Sequence, residues 1–65
     1  MFIKVMYCNN LPARFKVENI MAYIRNYDDK TTTIILDDGS SHYVKESIQS
    51  IDAQIDEQIA EERDW

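Results

Sequence analysis

Two side chains in this chain could act as a nucleophile or move a proton near neutral pH, and each occurs once: Cys8 and His42. A Cys–His dyad needs the thiol within hydrogen-bond reach of the ring, which a strand-rich chain can arrange across a sheet. The commoner outcome for such a lone pair is a small buried thiol and an ordinary strand histidine. A zinc site of the Cys/His kind needs more ligands than these two. The run Asp37-Asp38-Gly39-Ser40-Ser41 is rich in oxygen. It lacks the alternating ligands and closing bidentate Glu of a calcium loop, so it reads as a turn. Gly39 is the only glycine, so there is no glycine-rich phosphate loop. These residues predict no catalytic group, no metal and no cofactor.

The chemistry left is that of recognition, and charge placement dominates it. Residues 1–45 hold six Lys/Arg and five Asp/Glu, a net of +1, whereas residues 46–65 hold seven Asp/Glu against Arg63 alone, a net of −6. On a helix, Asp52/Asp56 and Glu57/Glu61 are like-charged i,i+4 neighbours, each pair costing a few tenths of a kcal/mol. Acids at 61, 62 and 64 also stand at the end of the helix that prefers cations. Stability alone would not select this arrangement. Two readings stay open: a strip that docks on a basic partner, and a solubilising face. The docking candidates are Asp52, Asp56, Glu57, Glu61 and Glu62. On an ideal helix the first two flank the apolar stripe, while Glu57 and Glu61 point away from it.

Aromatic residues add a second candidate surface. Tyr7, Tyr23, Tyr27 and Tyr43 cannot all share one face with the isoleucines. Some of them are expected on the sheet face opposite the helix, where tyrosine serves either as a binding surface or as cross-strand packing. Tyr23 and Tyr43 are the candidates there, and Trp65 is a candidate anchor if it is not simply frayed. Arg14, Lys16 and Arg25 near such tyrosines would suit single-stranded nucleic acid. Three scattered cations against twelve acids argue against it.

The elements that must position these groups follow from periodicity. Phe2–Tyr7 is a short β-rich run, and Asn9-Asn10-Leu11-Pro12 is turn chemistry. Ala13, Phe15 and Val17 alternate with Arg14, Lys16 and Glu18, the period of a half-buried strand that Asn19 interrupts. Residues 20–25 fit either a strand or a short helical turn, and their neighbours favour the strand. Residues 26–30 form a polar turn. Thr31–Leu36 has the strongest β propensity in the chain, and Asp37-Asp38-Gly39 then closes a hairpin onto Ser41–Lys45. A three-residue loop there puts Ile34, Leu36, His42 and Val44 on one face, with Ile35 and Tyr43 on the other. Ser47 is placed as a helix N-cap. Ile48, Ile51, Ile55 and Ile59 follow at spacings that make one stripe. If buried, they contribute about 1.5–3 kcal/mol each.

Along Thr32-Thr33-Ile34-Ile35-Leu36-Asp37-Asp38-Gly39 and Tyr43-Val44-Lys45-Glu46-Ser47-Ile48, the chain resembles the small flagellar-operon proteins of the FlbD type. The similarity is loose over residues 3–55 and concentrated in 32–48. It departs from the family pattern at Asn9-Asn10-Leu11-Pro12, where the family has an Asn-Gly type turn, and in the acidic stretch past Ile55. What the resemblance implies is a β-meander, a C-terminal helix and no catalytic site.

The expected molecule is therefore one α+β domain spanning 1–65. It has an antiparallel meander of four to five strands in 1–45, an acidic amphipathic helix over 47–62 packed on one face, and a frayed tail at 63–65. A chain this short buries only about 60% of its unfolded surface. Met1-Phe2-Ile3 runs straight into Lys4, which predicts no signal peptide, and one cysteine suits a reducing compartment. The cytoplasm is expected, the host's if the chain is phage-encoded. The expected function is non-enzymatic: binding a protein partner with a basic surface, without direct contact to nucleic acid or membrane, so as to regulate or inhibit it. Small acidic phage proteins that block nucleic-acid-handling defence machinery are similar in size and charge layout. The alternative is a homo-oligomeric flagellar-type regulator. A homodimer is expected, because a narrow isoleucine stripe and a second apolar sheet face leave area to cover.

Overall fold

A computed structural model describes residues 1–28 and 30–63, with side chains described as far as Ala60. Strands β1 (Phe2–Met6) and β2 (Pro12–Lys16) form one antiparallel hairpin. A 3-10 turn at Val17–Asn19 leads into β3 (Ile20–Arg25), β4 (Thr32–Leu36) and β5 (Ser41–Val44), a three-stranded antiparallel meander. Helix α1 (Ile48–Arg63) follows. The two sheets are joined where β1 runs out. Tyr7 bridges Val44, Cys8 N donates to Tyr43 O at 3.3 Å, and Lys45 N donates to Met6 O at 2.8 Å. The strands thus read β2-β1-β5-β4-β3 across the molecule. The expected α+β architecture is what forms, with residues 20–25 as a strand.

Local chemistry sets each corner. Asn10 takes φ 70°, which asparagine tolerates better than most residues, in the β1–β2 turn. Pro12, read from sequence as part of that turn, instead opens β2 opposite Met6. A strand's first position suits a residue without an N–H. In the next corner the Asp28 carboxylate accepts from Lys30 N and Thr31 N at 2.9 and 3.0 Å, an Asx-type turn. The β4–β5 loop holds three residues: Gly39 N donates to Leu36 O and Leu36 N to Ser40 O, both at 3.0 Å. Gly39 sits at φ 87°, the left-handed position such a loop requires. The resulting register pairs Ile34 with His42 and Thr32 with Val44, so the two faces expected from sequence are the two faces observed.

The core comprises Ile3, Val5, Phe15, Ile34, Val44 and Ile51, one or more from every element except β3. Thr32 is the one buried polar residue among the described residues, and its hydroxyl donates to Glu46 O at 2.7 Å. Ser47 caps α1 as expected, its hydroxyl accepting from Ser50 N at 3.1 Å. The isoleucine stripe exists, but its burial is graded. Only Ile51 is fully buried, while Ile48, Ile55 and Ile59 are half-buried. The stripe therefore contributes less than four buried isoleucines would. The helix contacts both β1 and β3, and it reaches the core at Ile51, with Ile55 packed against that core. The helix continues through Arg63, one residue past its expected end. Asp64 and Trp65 lie outside the described residues.

Candidate functional site

At 100° per residue α1 has an inner stripe, two flanks and an outer face, and each makes different contacts. On the flank toward β3, the Tyr23 hydroxyl donates to the Asp52 carboxylate. That bond first, burial second and the Asp52 and Asp56 charges after them push the Tyr23 hydroxyl up to about 12. Both the docking candidate Asp52 and the surface candidate Tyr23 are half-buried, each the other's partner. The outer part of the helix keeps Asp56 and Glu57 exposed, and neither is ion-paired among the described residues. The side chains of Glu61 and Glu62 lie outside the described residues.

The flank toward β1 holds residues that sequence reasoning passed over. Antiparallel strands turn alternate backbone groups toward the neighbour and away from it. In β1 those of Phe2, Lys4 and Met6 point away from β2, at what would be a bare sheet edge. Gln54 closes part of it twice: its carbonyl accepts from Lys4 N at 2.8 Å, and its amide donates to Lys4 O at 2.9 Å. Gln58, one turn on, donates to Phe2 O at 2.7 Å. The Glu46 carboxylate accepts from Met6 N at 2.8 Å. Two glutamines at i and i+4 thus serve as a strand for β1, covering an edge that would otherwise invite pairing with another chain. The i,i+4 spacing was the available signal, but the acids around it gave it no direction.

His42 and Cys8 do approach one groove. A cleft of about 430 Å³ is lined by Tyr7, Cys8, Asn9, Leu11, Ser41, His42 and Tyr43. Cys8 is exposed, not the buried thiol expected, because β1 ends at Met6 and its side chain follows the strand out of the core. His42 is half-buried against Phe15 and Tyr7 at centroid distances of 5.0 and 5.9 Å. Ser40 donates its one hydroxyl proton to Asp38 at 2.6 Å, so at 3.0 Å it can only accept from His42 Nε2. Nε2 is therefore the donor in that contact, and Nδ1 shares a hydrogen bond with the Tyr7 hydroxyl at 2.9 Å. Both ring nitrogens are engaged, and Ser40 has no proton to give the ring. The arrangement orients a histidine within a hydrogen-bond chain rather than activating a thiol or hydroxyl. Among the described residues no three His, Cys, Asp or Glu side chains stand close enough to hold a metal ion.

Two sheet faces point outward. On the meander, Ile24, Thr33 and Tyr43 form one cross-strand row, with Ala22, Ile35 and Ser41 beside it. Ile24 is 53% exposed and Tyr43 58%, so Tyr43 lies on the open face predicted for some of the tyrosines. On the hairpin, the outward residues are Phe2, Lys4 and Met6 opposite Lys16, Arg14 and Pro12. The cations that looked scattered in sequence are thus partly gathered: Lys4, Arg14 and Lys16 share this face, while Arg25 lies at the end of β3. No helix among the described residues is long and apolar enough to cross a membrane. No family model, curated protein or solved structure matches the chain.

Proposed function

We propose that this protein is a non-enzymatic binding module that regulates or inhibits a protein partner by laying the outer face of α1 on a basic surface of that partner. The observation that carries this reading is the division of labour on the helix. Asp52, Gln54 and Gln58 hold the fold together, whereas Asp56 and Glu57 are exposed, close in sequence and not ion-paired among the described residues. Exposed charges that make no described ion pair remain available to steer a partner. A basic surface of the kind that holds nucleic acid has the matching sign. The open row of Ile24 and Tyr43 supplies apolar area for a second contact. A homo-oligomeric flagellar-type role is the second reading. It is favoured by the β4–loop–β5–cap order over Thr32–Ile48, which follows the pattern of the FlbD-type resemblance.

The test compares the parent with Asp56→Asn/Glu57→Gln as bait in lysate, at low and high salt. Basic proteins retained by the parent at low salt, released at high salt and absent from the variant are the expected result. Equal retention by both baits refutes the helix as the docking element. Tyr43→Ala then tests the open sheet face.

A further inference from the structure

We infer that the basic outer face of the β1–β2 hairpin receives the acidic outer face of α1 from a second copy of this chain, so that self-association covers the helix face assigned above to a partner. The covering step rests on that assignment, whereas the contact between copies rests on the geometry alone.

Three of the seven cations lie on one two-stranded ribbon, and the outward positions of that ribbon hold no acid. Lys4 stands directly opposite Arg14, with Lys16 diagonal to Lys4. The backbone pattern makes Lys4/Arg14 a non-hydrogen-bonded pair, because Tyr7 N donates to Leu11 O and Lys4 bonds outward to Gln54. That is the kind of pair whose side chains approach most closely. Like charges directly opposite in a sheet destabilise it, yet none of the three is ion-paired among the described residues. The nearby Glu18 carboxylate is itself 3.5 Å from the Met1 amino group. Beside the cations, Phe2 leaves 55% of its surface exposed, and Lys4 and Arg14 border a groove of about 540 Å³ whose lining includes one acid, Glu46. The face is therefore cationic with an apolar margin, and its ligand is anionic.

Charge complementarity selects the occupant. Residues 46–65 carry a net of −6 with Asp56 and Glu57 turned outward. A chain's own helix cannot reach its own hairpin face, because Gln54 and Gln58 hold it along the β1 edge. A second copy supplies an anionic face of matching sign at the protein's own concentration, and a nucleic acid competing for the same cations is separated by the oligonucleotide arm of the test. Unlike patches meeting in this way pair either reciprocally across a two-fold axis or head to tail, in a ring or an open chain.

The test is sedimentation of the parent, of Lys4→Glu/Arg14→Glu, of Asp56→Lys/Glu57→Lys, and of an equimolar mixture of the two variants. All altered side chains are exposed, and circular dichroism checks that each variant folds. At about 50 mM salt the parent is expected to associate, weakening at least about tenfold by about 500 mM as the charges are screened. Each variant alone should sediment as the 7.7 kDa species. The mixture should associate again, because an acidic helix then meets an intact basic hairpin. A monomeric parent at low salt, a mixture that stays monomeric, or a Lys4→Glu/Arg14→Glu variant that associates like the parent overturns the inference. So does a short single-stranded oligonucleotide that binds the parent and not that variant. Partner capture by Lys4→Glu/Arg14→Glu, whose helix is intact, reports separately on the function proposed above.

Discussion

At the scale of single residues, the informative contacts are those in which a polar side chain replaces something the fold lacks. Tyr23 is one. Its hydroxyl is held neutral up to about 12 by the bond to Asp52, above the ordinary value of 10.0 it regains on unfolding. A raised value on an acid means that the stabilisation is complete below pH 10 and is lost as pH climbs through about 12. Tyr23→Phe should therefore lower stability by about 1–2 kcal/mol near neutrality, or several degrees in Tm for so small a domain. The gap to the parent should close toward pH 12. Tyrosinate absorbance should carry a component near pH 12 that Tyr23→Phe removes, and a parent curve without that component would contradict the Tyr23–Asp52 contact. Gln54 is the second case. Gln54→Ala leaves Lys4 N and O at the β1 edge without these bonds, and Gln54 is only half-buried, so the expected loss is about 1 kcal/mol, read from denaturant midpoints. Gln54→Glu keeps the acceptor and loses the donor, and should fall between the two.

Among the elements, periodicity carried most of the architecture, and turn chemistry carried the rest. Gly39 in its three-residue loop fixed the β4–β5 register, and with it which side chains face the core, because a slip of one residue would invert both faces. Ser47 and the isoleucine spacing fixed where α1 starts and which stripe turns inward. Which strands the helix would touch was not legible. That depends on β1 meeting β5 through Tyr7 and Val44, thirty-seven residues apart in sequence, and no local pattern encodes such a pairing. Hence the roles of Gln54, Gln58 and Glu46, and the gathering of Lys4 with Arg14 and Lys16, emerged only in three dimensions. The acids of α1 were legible as a group, but the sequence did not show that Asp52 is held by Tyr23 while Asp56 and Glu57 are not. The graded stripe yields a graded prediction. Ile51→Asp puts an unpartnered charge at a fully buried site and should abolish cooperative unfolding at room temperature. Ile55→Asp, at a half-buried site, should leave a folded but weakened domain. Equal effects from the two would mean that the helix does not seat on Ile51. The turns respond to acid instead. Hydrogen bonds from Ser40 to Asp38, and from the Lys30 and Thr31 amides to Asp28, hold both carboxyls below their ordinary 3.8. Their contribution is present above that value and is lost as pH falls through the lowered ones, so Asp28→Asn/Asp38→Asn should flatten the acid limb of a stability–pH curve.

For the whole molecule, the decisive quantity is the separation of charge: a ribbon with three cations and no acid on its outer face, and a last third with a net of −6. Whether these opposite regions attract within one molecule or between molecules has a measurable signature in salt. Within a single copy, the repulsive terms are local, Lys4 against Arg14 and Asp52 against Asp56, and among the described residues α1 is anchored to the hairpin by glutamines rather than by ion pairs. Screening should therefore relieve more repulsion than attraction. In dilute solution, where copies are apart, Tm is expected to rise by a few degrees between about 10 mM and about 150 mM salt. At high protein concentration the trend should reverse. Association at low salt then stabilises the folded form by mass action, and salt removes that stabilisation. Thermal melts at two protein concentrations and two salt concentrations separate these effects. A Tm that falls with salt even at high dilution would place the attraction inside the molecule, between α1 and its own hairpin. The cations would then be compensated within each copy and would not be available to a second one. A Tm that rises with salt at both concentrations would leave the two charged regions independent of each other, and α1 permanently exposed to its partner.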